Sequence, residues 1–275
     1  MKKWIVLFGI FWLITSFAPK KELNWMAIGD SITYLDGHAG ESDNRITKGY
    51  MERVVQKLPN IHYTNHGHNG WTTARMATAI NTLGIEKADI YSVFLGTNDW
   101  WSGLPIGAFS DYQNNTGNKT MYGAYRIIIN KIHSLDSAAK IILITPMQRG
   151  DFVYVKNYTN IAYGSYKDKN GHFLSEYADV VKNIARSENF KLVDLYHKSR
   201  ITPKNVVKYK RLKDQKTGEY KNYTYPDYIN IPFNPATDEY PYPLDAINMT
   251  YDGLHPSDKG LALIANMLIK VMKKY

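Results

Sequence analysis

The 275-residue chain contains no cysteine, and that absence removes disulfides, thiolate metal sites and cysteine nucleophiles together. It also removes a bacterial lipid anchor, whose processing site requires a cysteine. No stable membrane span is expected either, because the apolar run from Trp4 to Ile14 falls well short of the ~20 residues that cross a bilayer. Internal repeats and low-complexity tracts are missing, and 44% apolar content suffices for a sizeable core in one large domain. Acidic residues are in deficit, 25 against 34 basic ones, for a formal charge of +9. That sign suits an acidic polymer or an anionic surface. Part of the excess, however, sits in Lys2, Lys3, Lys20, Lys21, Lys273 and Lys274 at the termini. Solvated lysine therefore accounts for it, and no nucleic-acid partner is expected. Nothing in the sequence sets an oligomeric state.

Lys2-Lys3, the apolar run and then Thr15-Ser16-Phe17-Ala18 follow the basic, apolar and small-residue order of a secretory signal. The reading is a signal peptide over residues 1–18 and a folded domain over 19–275, exported to the periplasm or secreted. Pro19 is an awkward residue to follow a cut after Ala18.

Beyond that segment, strand-like and helix-like patterns alternate. Strands are expected at Leu23–Ile28, Ile61–Asn65, Ile90–Leu95, Ile141–Ile144 and Lys191–Leu195. Helices are expected at Lys48–Leu58, Ala74–Leu83, Tyr122–Leu135, Leu174–Ser187 and Lys259–Lys273, where apolar residues recur at helical spacing. Such alternation implies an α/β fold: a parallel sheet covered on both faces by right-handed crossovers, a three-layer α/β/α sandwich. Two tyrosine-rich stretches, about 148–173 and 199–248, break the pattern and are expected as loop insertions roofing a site, the second with a hairpin around Lys216-Thr217-Gly218.

Trp25-Met26-Ala27-Ile28-Gly29-Asp30-Ser31 is an apolar strand that stops at a hydroxyl. A parallel strand ends at the edge where ligands bind, so Ser31 is the candidate nucleophile. Asn65-His66-Gly67-His68-Asn69-Gly70, Gly96-Thr97-Asn98-Asp99 and Asp252-Gly253-Leu254-His255-Pro256 all fall on the same predicted edge. His255 is the natural base, and Asp252 is placed to fix its tautomer, although the pair also suits a helix-capping turn. Backbone N–H groups at Ser31 and Gly70 and the Asn98 amide could converge on an oxyanion. Asp30 and Asp99 are expected to hydrogen-bond local backbone. Trp71, Trp100 and Trp101 are candidate substrate-binding rings, core packing being an equal reading. Arg149 could take an acidic substrate group, with a structural salt bridge as the simpler role.

Together these blocks resemble the SGNH (GDSL-type) hydrolases, in family order and across almost the whole chain beyond the signal. The resemblance implies Ser31 as nucleophile, Gly70 and Asn98 as oxyanion donors, His255 as base and Asp252 as its partner. It further implies a flavodoxin-like sheet of five parallel strands and no metal or other cofactor. Gly67 competes with Gly70 for the second block, and Ile32 replaces the usual leucine after Gly-Asp-Ser. A classical α/β-hydrolase is disfavoured because Gly29-Asp30-Ser31-Ile32-Thr33 lacks the last glycine of the Gly-x-Ser-x-Gly elbow. An exported member with aromatic insertions is expected to remove acetyl or small acyl groups from glycans. Within the family the alternatives are a lipase, lysophospholipase or thioesterase. Outside it they are a metal-dependent phosphoesterase using His66 and His68, or a glycan-binding protein without catalysis.

Overall fold

A computed structural model describes residues 20–275; the signal peptide expected over residues 1–18 lies outside the described residues. Five parallel strands, β1 (Leu23–Gly29), β2 (Ile61–Gly67), β3 (Ile90–Phe94), β4 (Lys140–Ile144) and β7 (Lys191–Val193), form one sheet in the order β2-β1-β3-β4-β7. Between β4 and β7 lies an antiparallel hairpin of β5 (Phe152–Tyr154) and β6 (Asn157–Ala162), and a second joins β8 (Lys210–Lys213) to β9 (Tyr220–Tyr223). The helices are α1 (Ser31–Tyr34), α2 (Tyr50–Lys57), α3 (Thr73–Ala79), α4 (Thr97–Ser102), α5 (Phe109–Asn114), α6 (Met121–Leu135), α7 (Leu174–Ser187), α8 (Leu195–Lys198) and α9 (Asp258–Met272).

The two-residue period of the strands divides the core into two layers. Trp25 and Ala27 of β1 join Phe94, Ile142 and Ile144 beneath α2 and α9, whose Val54, Ile264 and Leu268 are buried against them. Met26 and Ile28 point the other way, with Val93, Ile141 and Leu143, onto Met76 of α3, Ile128 and Ile132 of α6 and Val181 of α7. The expected α/β/α sandwich with a five-stranded parallel sheet is what forms. Trp25 could not sit in this core unpaired, and its indole N–H donates to Ser92 Oγ of β3 at 2.9 Å.

Two expectations about the insertions change. The first is not irregular: its centre is the β5–β6 hairpin. The second contains the expected hairpin but does not roof the cleft described below. It packs behind β5 instead, where Lys210 pairs with Asp151 at 2.8 Å and the Tyr240 hydroxyl donates to Val153 O at 2.9 Å.

The sheet order determines where a site can form. β1 leaves toward β2 on one side while β3 and β4 extend the other, so the connections after β1 and β3 diverge and open a crevice at the carboxyl ends of the strands.

Candidate active site

Ser31 is the first residue of α1, separated from β1 by Asp30 alone. Asp30 caps that helix, its Oδ1 accepting the Ile32 N–H at 3.0 Å. Burial pushes the Asp30 carboxyl up to about 7, because the capping bond offsets only part of the desolvation. Asn65 of β2 pins the other end of α1, donating to Thr33 O at 3.0 Å and Asp36 O at 2.8 Å. The hydroxyl is thus carried on a short helix held at both ends.

His255 arrives from the far end of the chain, and its Nε2 lies 2.9 Å from Ser31 Oγ. Its Nδ1 lies 2.7 Å from Asp252 Oδ2. A carboxylate only accepts, so Nδ1 carries the proton and Nε2 is left to accept from the serine. The other Asp252 oxygen accepts the Leu254 N–H at 3.0 Å and the His255 N–H at 2.7 Å. The carboxylate that meets the imidazole therefore also holds the turn that carries it. Asp252 is fully buried and His255 only 7% exposed. Tyr251 stacks on the imidazole with centroids 5.8 Å apart, and Phe152 meets it edge-on at 5.4 Å.

These groups face a cleft of about 390 Å³ whose lining includes Ser31, Gly70, Asn98, Trp101, Arg149 and His255. Gly70 has φ +73°, in the left-handed region that glycine adopts without strain. A Cβ there would meet nothing within 4 Å, so the backbone angle and not the room calls for glycine. Gly67 ends β2 away from the cleft, and a Cβ on it would strike the Tyr34 backbone at 2.1 Å. It lets α1 lie against the sheet. The Asn98 amide donates to Trp71 O at 3.1 Å, which fixes its orientation at the cleft wall.

A profile of the GDSL-like lipase/acylhydrolase family matches residues 27–263. The chain belongs to this family. A crystal structure of a possible lipase from Chitinophaga pinensis is 57% identical, with TM-score 0.91 over 92% of this chain and 98% of that one. The lipase/acylhydrolase from Enterococcus faecalis (19% identity, TM-score 0.51, 91% and 95% covered) shares the fold. So does an acetyl xylan esterase from Geobacillus stearothermophilus (19%, 0.50, 91% and 94%). No curated protein matches the sequence. The chain is thus an ester-hydrolysing serine hydrolase of the GDSL-like family.

Other candidate residues of this GDSL-like hydrolase fall differently from expectation. Trp100 is wholly buried, its indole N–H donating to His172 O at 2.9 Å, and it does not line the cleft. Trp71 also stays off the lining, stacked on His68 at 4.0 Å and covered by Arg75 at 4.8 Å. Trp101 alone of the three reaches the cleft. Arg149 makes no salt bridge among the described residues; it is 1% exposed, with Nε and Nη2 buried and unpartnered. Asp99 does not serve its own turn but accepts from the backbone N–H of Thr73 at 3.0 Å and from its hydroxyl, tying α4 to α3. Burial holds its carboxyl up at about 6. Among the described residues no three His, Asp or Glu side chains converge as a metal would require. The first insertion, expected over a site from its tyrosine enrichment, supplies cleft walls through Phe152, Tyr154 and Asn160, whereas sequence reasoning missed Glu41.

Proposed function

We propose that Ser31 is the nucleophile of an exported esterase that removes acetyl or similar small acyl groups from carbohydrates. The observation that carries the catalytic part is the hydrogen-bonded chain Ser31–His255–Asp252 opening on the cleft. Ser31 Oγ attacks the acyl carbonyl as its proton passes to His255 Nε2, and Asp252 stabilises the resulting imidazolium. The N–H groups of Ser31 and Gly70 and the Asn98 amide receive the negative oxygen. Imidazolium then protonates the leaving alcohol, and a water activated by His255 releases the acid.

Small acyl groups suit a cleft of about 390 Å³ whose aliphatic walls among the described residues are Leu35, Ala162 and Leu254, too few to sheath a long chain. Trp101, Tyr154 and Phe152 offer flat faces for sugar rings. The basic and apolar order of residues 1–18 supports export. The test sets acetylated oligosaccharides against p-nitrophenyl esters of increasing chain length. Acetyl esters are expected to turn over fastest, Ser31 to be labelled by a fluorophosphonate, and Ser31→Ala to fold but lose turnover. Faster hydrolysis of long-chain esters would overturn the carbohydrate assignment.

A further inference from the structure

Arg149 has no evident part in the steps above, yet it stands in the same cleft as Ser31 and His255. Its backbone is pinned by Ser165, whose hydroxyl accepts the Arg149 N–H at 3.0 Å and whose own N–H donates to Arg149 O at 2.9 Å. Its guanidinium lies 5.6 Å from the ring centroids of both Trp100 and Trp101. Burial draws its pKa down to about 10, so it still carries its charge at neutral pH.

Buried charges in proteins are ordinarily paired, because an isolated one loses its hydration without compensation. Here the nearby acids are committed elsewhere. Asp151 is taken by Lys210 at 2.8 Å, the Gly164 N–H at 2.9 Å and the Tyr166 hydroxyl at 2.5 Å. Asp252 is taken by its own turn and by the imidazole. The one carboxylate lining the cleft, Glu41, accepts from the Tyr34 hydroxyl at 2.8 Å. No protein acceptor among the described residues is left for the guanidinium, and the open side of the residue is the cleft it lines, so its partner is a group brought by the substrate.

We propose that the ester hydrolysed here carries a carboxylate, and that Arg149 binds it. The inference rests on the ester-hydrolase reading of this site. The guanidinium fork matches a carboxylate in two parallel hydrogen bonds, and one positive charge balances one negative. A phosphate dianion would leave surplus negative charge in a cleft that already holds Glu41. The carboxylate has two chemical sources: the alcohol half, as in an acetylated uronic acid, or the acyl half, as in a dicarboxylic half-ester.

The experiment compares kcat/KM for acetylated glucuronic acid with its methyl ester, and for p-nitrophenyl hydrogen succinate with its methyl ester. One of the two acids is expected to exceed its neutral counterpart by about 10- to 100-fold, the usual value of hydrogen bonds to a charged group, and it identifies the source. Arg149→Met should bring that ratio to about one, and Arg149→Lys, which keeps the charge without the fork, to an intermediate value. Equal rates for acid and methyl ester in the unmodified protein overturn the proposal without any variant. So does Arg149→Met lowering acidic and neutral esters alike, the mark of a merely structural arginine. Calorimetry of glucuronate and succinate on Ser31→Ala separates the failures. Binding at least tenfold tighter than that of the methyl esters supports the acidic site even if ester turnover fails, whereas equal binding rejects it even if neutral esters are cleaved.

Discussion

Asp252→Asn tests the proposed catalytic chain at its least exposed point, and the surrounding hydrogen bonds settle what the substitution does. Oδ1 accepts two backbone N–H groups, from Leu254 and His255, while Oδ2 faces His255 Nδ1. An asparagine keeps its oxygen on the two backbone donors, because turning the amide over would bring its NH₂ against both. The NH₂ then faces Nδ1 and needs an acceptor there. The imidazole must carry its proton on Nε2, which presents a donor to Ser31 and removes the base. A wrong tautomer of this kind lowers kcat by about 10⁴-fold. Stability should change little, because the turn keeps both of its bonds. Asp252→Ala is the contrasting variant: it also strands two buried N–H groups, at about 1–3 kcal/mol each, and should melt well below the asparagine protein. The assay is kcat on p-nitrophenyl acetate per mole of folded protein, beside thermal unfolding of all three proteins. An asparagine variant that keeps more than a tenth of kcat refutes the orienting role.

Asn98→Ala should lower kcat by about 10²–10³-fold with KM little changed, as for loss of one oxyanion donor; an equal rise in KM with kcat intact would instead make Asn98 a binding residue. Asp30 is expected to make the fold pH-sensitive. Its folded pKa near 7 lies above the ordinary 3.8, so the native state holds the extra proton, and stability falls as pH rises from about 4 to 7. Asp30→Asn should match the unmodified protein near pH 4 and exceed it above pH 7, by up to about 4 kcal/mol at 1.36 kcal/mol per unit; denaturant midpoints that differ equally at both pH values refute this. Gly253→Ala should cost activity at least about 10²-fold, the penalty for an ångström of misplacement at a reacting group. Gly253 has φ +89°, and a Cβ on it would lie 1.7 Å from Asp151 O, so the loop bearing Asp252 and His255 must move. Unchanged kcat with unchanged stability would show that the loop relaxes freely.

The sheet was legible because β1, β3 and β4 are largely apolar runs between helices long enough to display a 3.6-residue period, although β2 is mostly polar. Leu174–Ser187 was expected and found with the same bounds, and Asp258–Met272 differs by one residue at each end. Helices of four to six residues were not legible: α1, α4, α5 and α8 have too few turns for any period to emerge. Two of them begin at cleft residues or one before, α1 at Ser31 and α4 at Thr97, next to Asn98. The local chemistry of Gly-Asp-Ser and Gly-Thr-Asn-Asp located the site where periodicity could not. Burial within an aromatic pair was also beyond reach. Trp100 and Trp101 are adjacent and alike in sequence, but α4 turns one into the core and the other toward the cleft.

The second insertion was misjudged for a reason that bears on function. Its tyrosines looked like a lid because the sequence gives composition without direction. In the fold they act one layer back. Tyr242 donates through its hydroxyl to Asp151 O, and Lys210 holds the Asp151 carboxylate. The segment so anchored then grips the loop bearing Asp252 and His255 from behind, with Gly150 N–H donating to Gly253 O at 2.8 Å and Val153 N–H to Asp252 O at 3.2 Å. The imidazole that must sit 2.9 Å from Ser31 therefore depends on a ladder of backbone bonds whose outer rung belongs to residues that never reach the cleft. Substituting Tyr242 leaves Asp151 O, the carbonyl packed against Gly253, without its donor. Its effect on catalysis is then transmitted through position alone, as a fall in kcat that small neutral and acidic esters share.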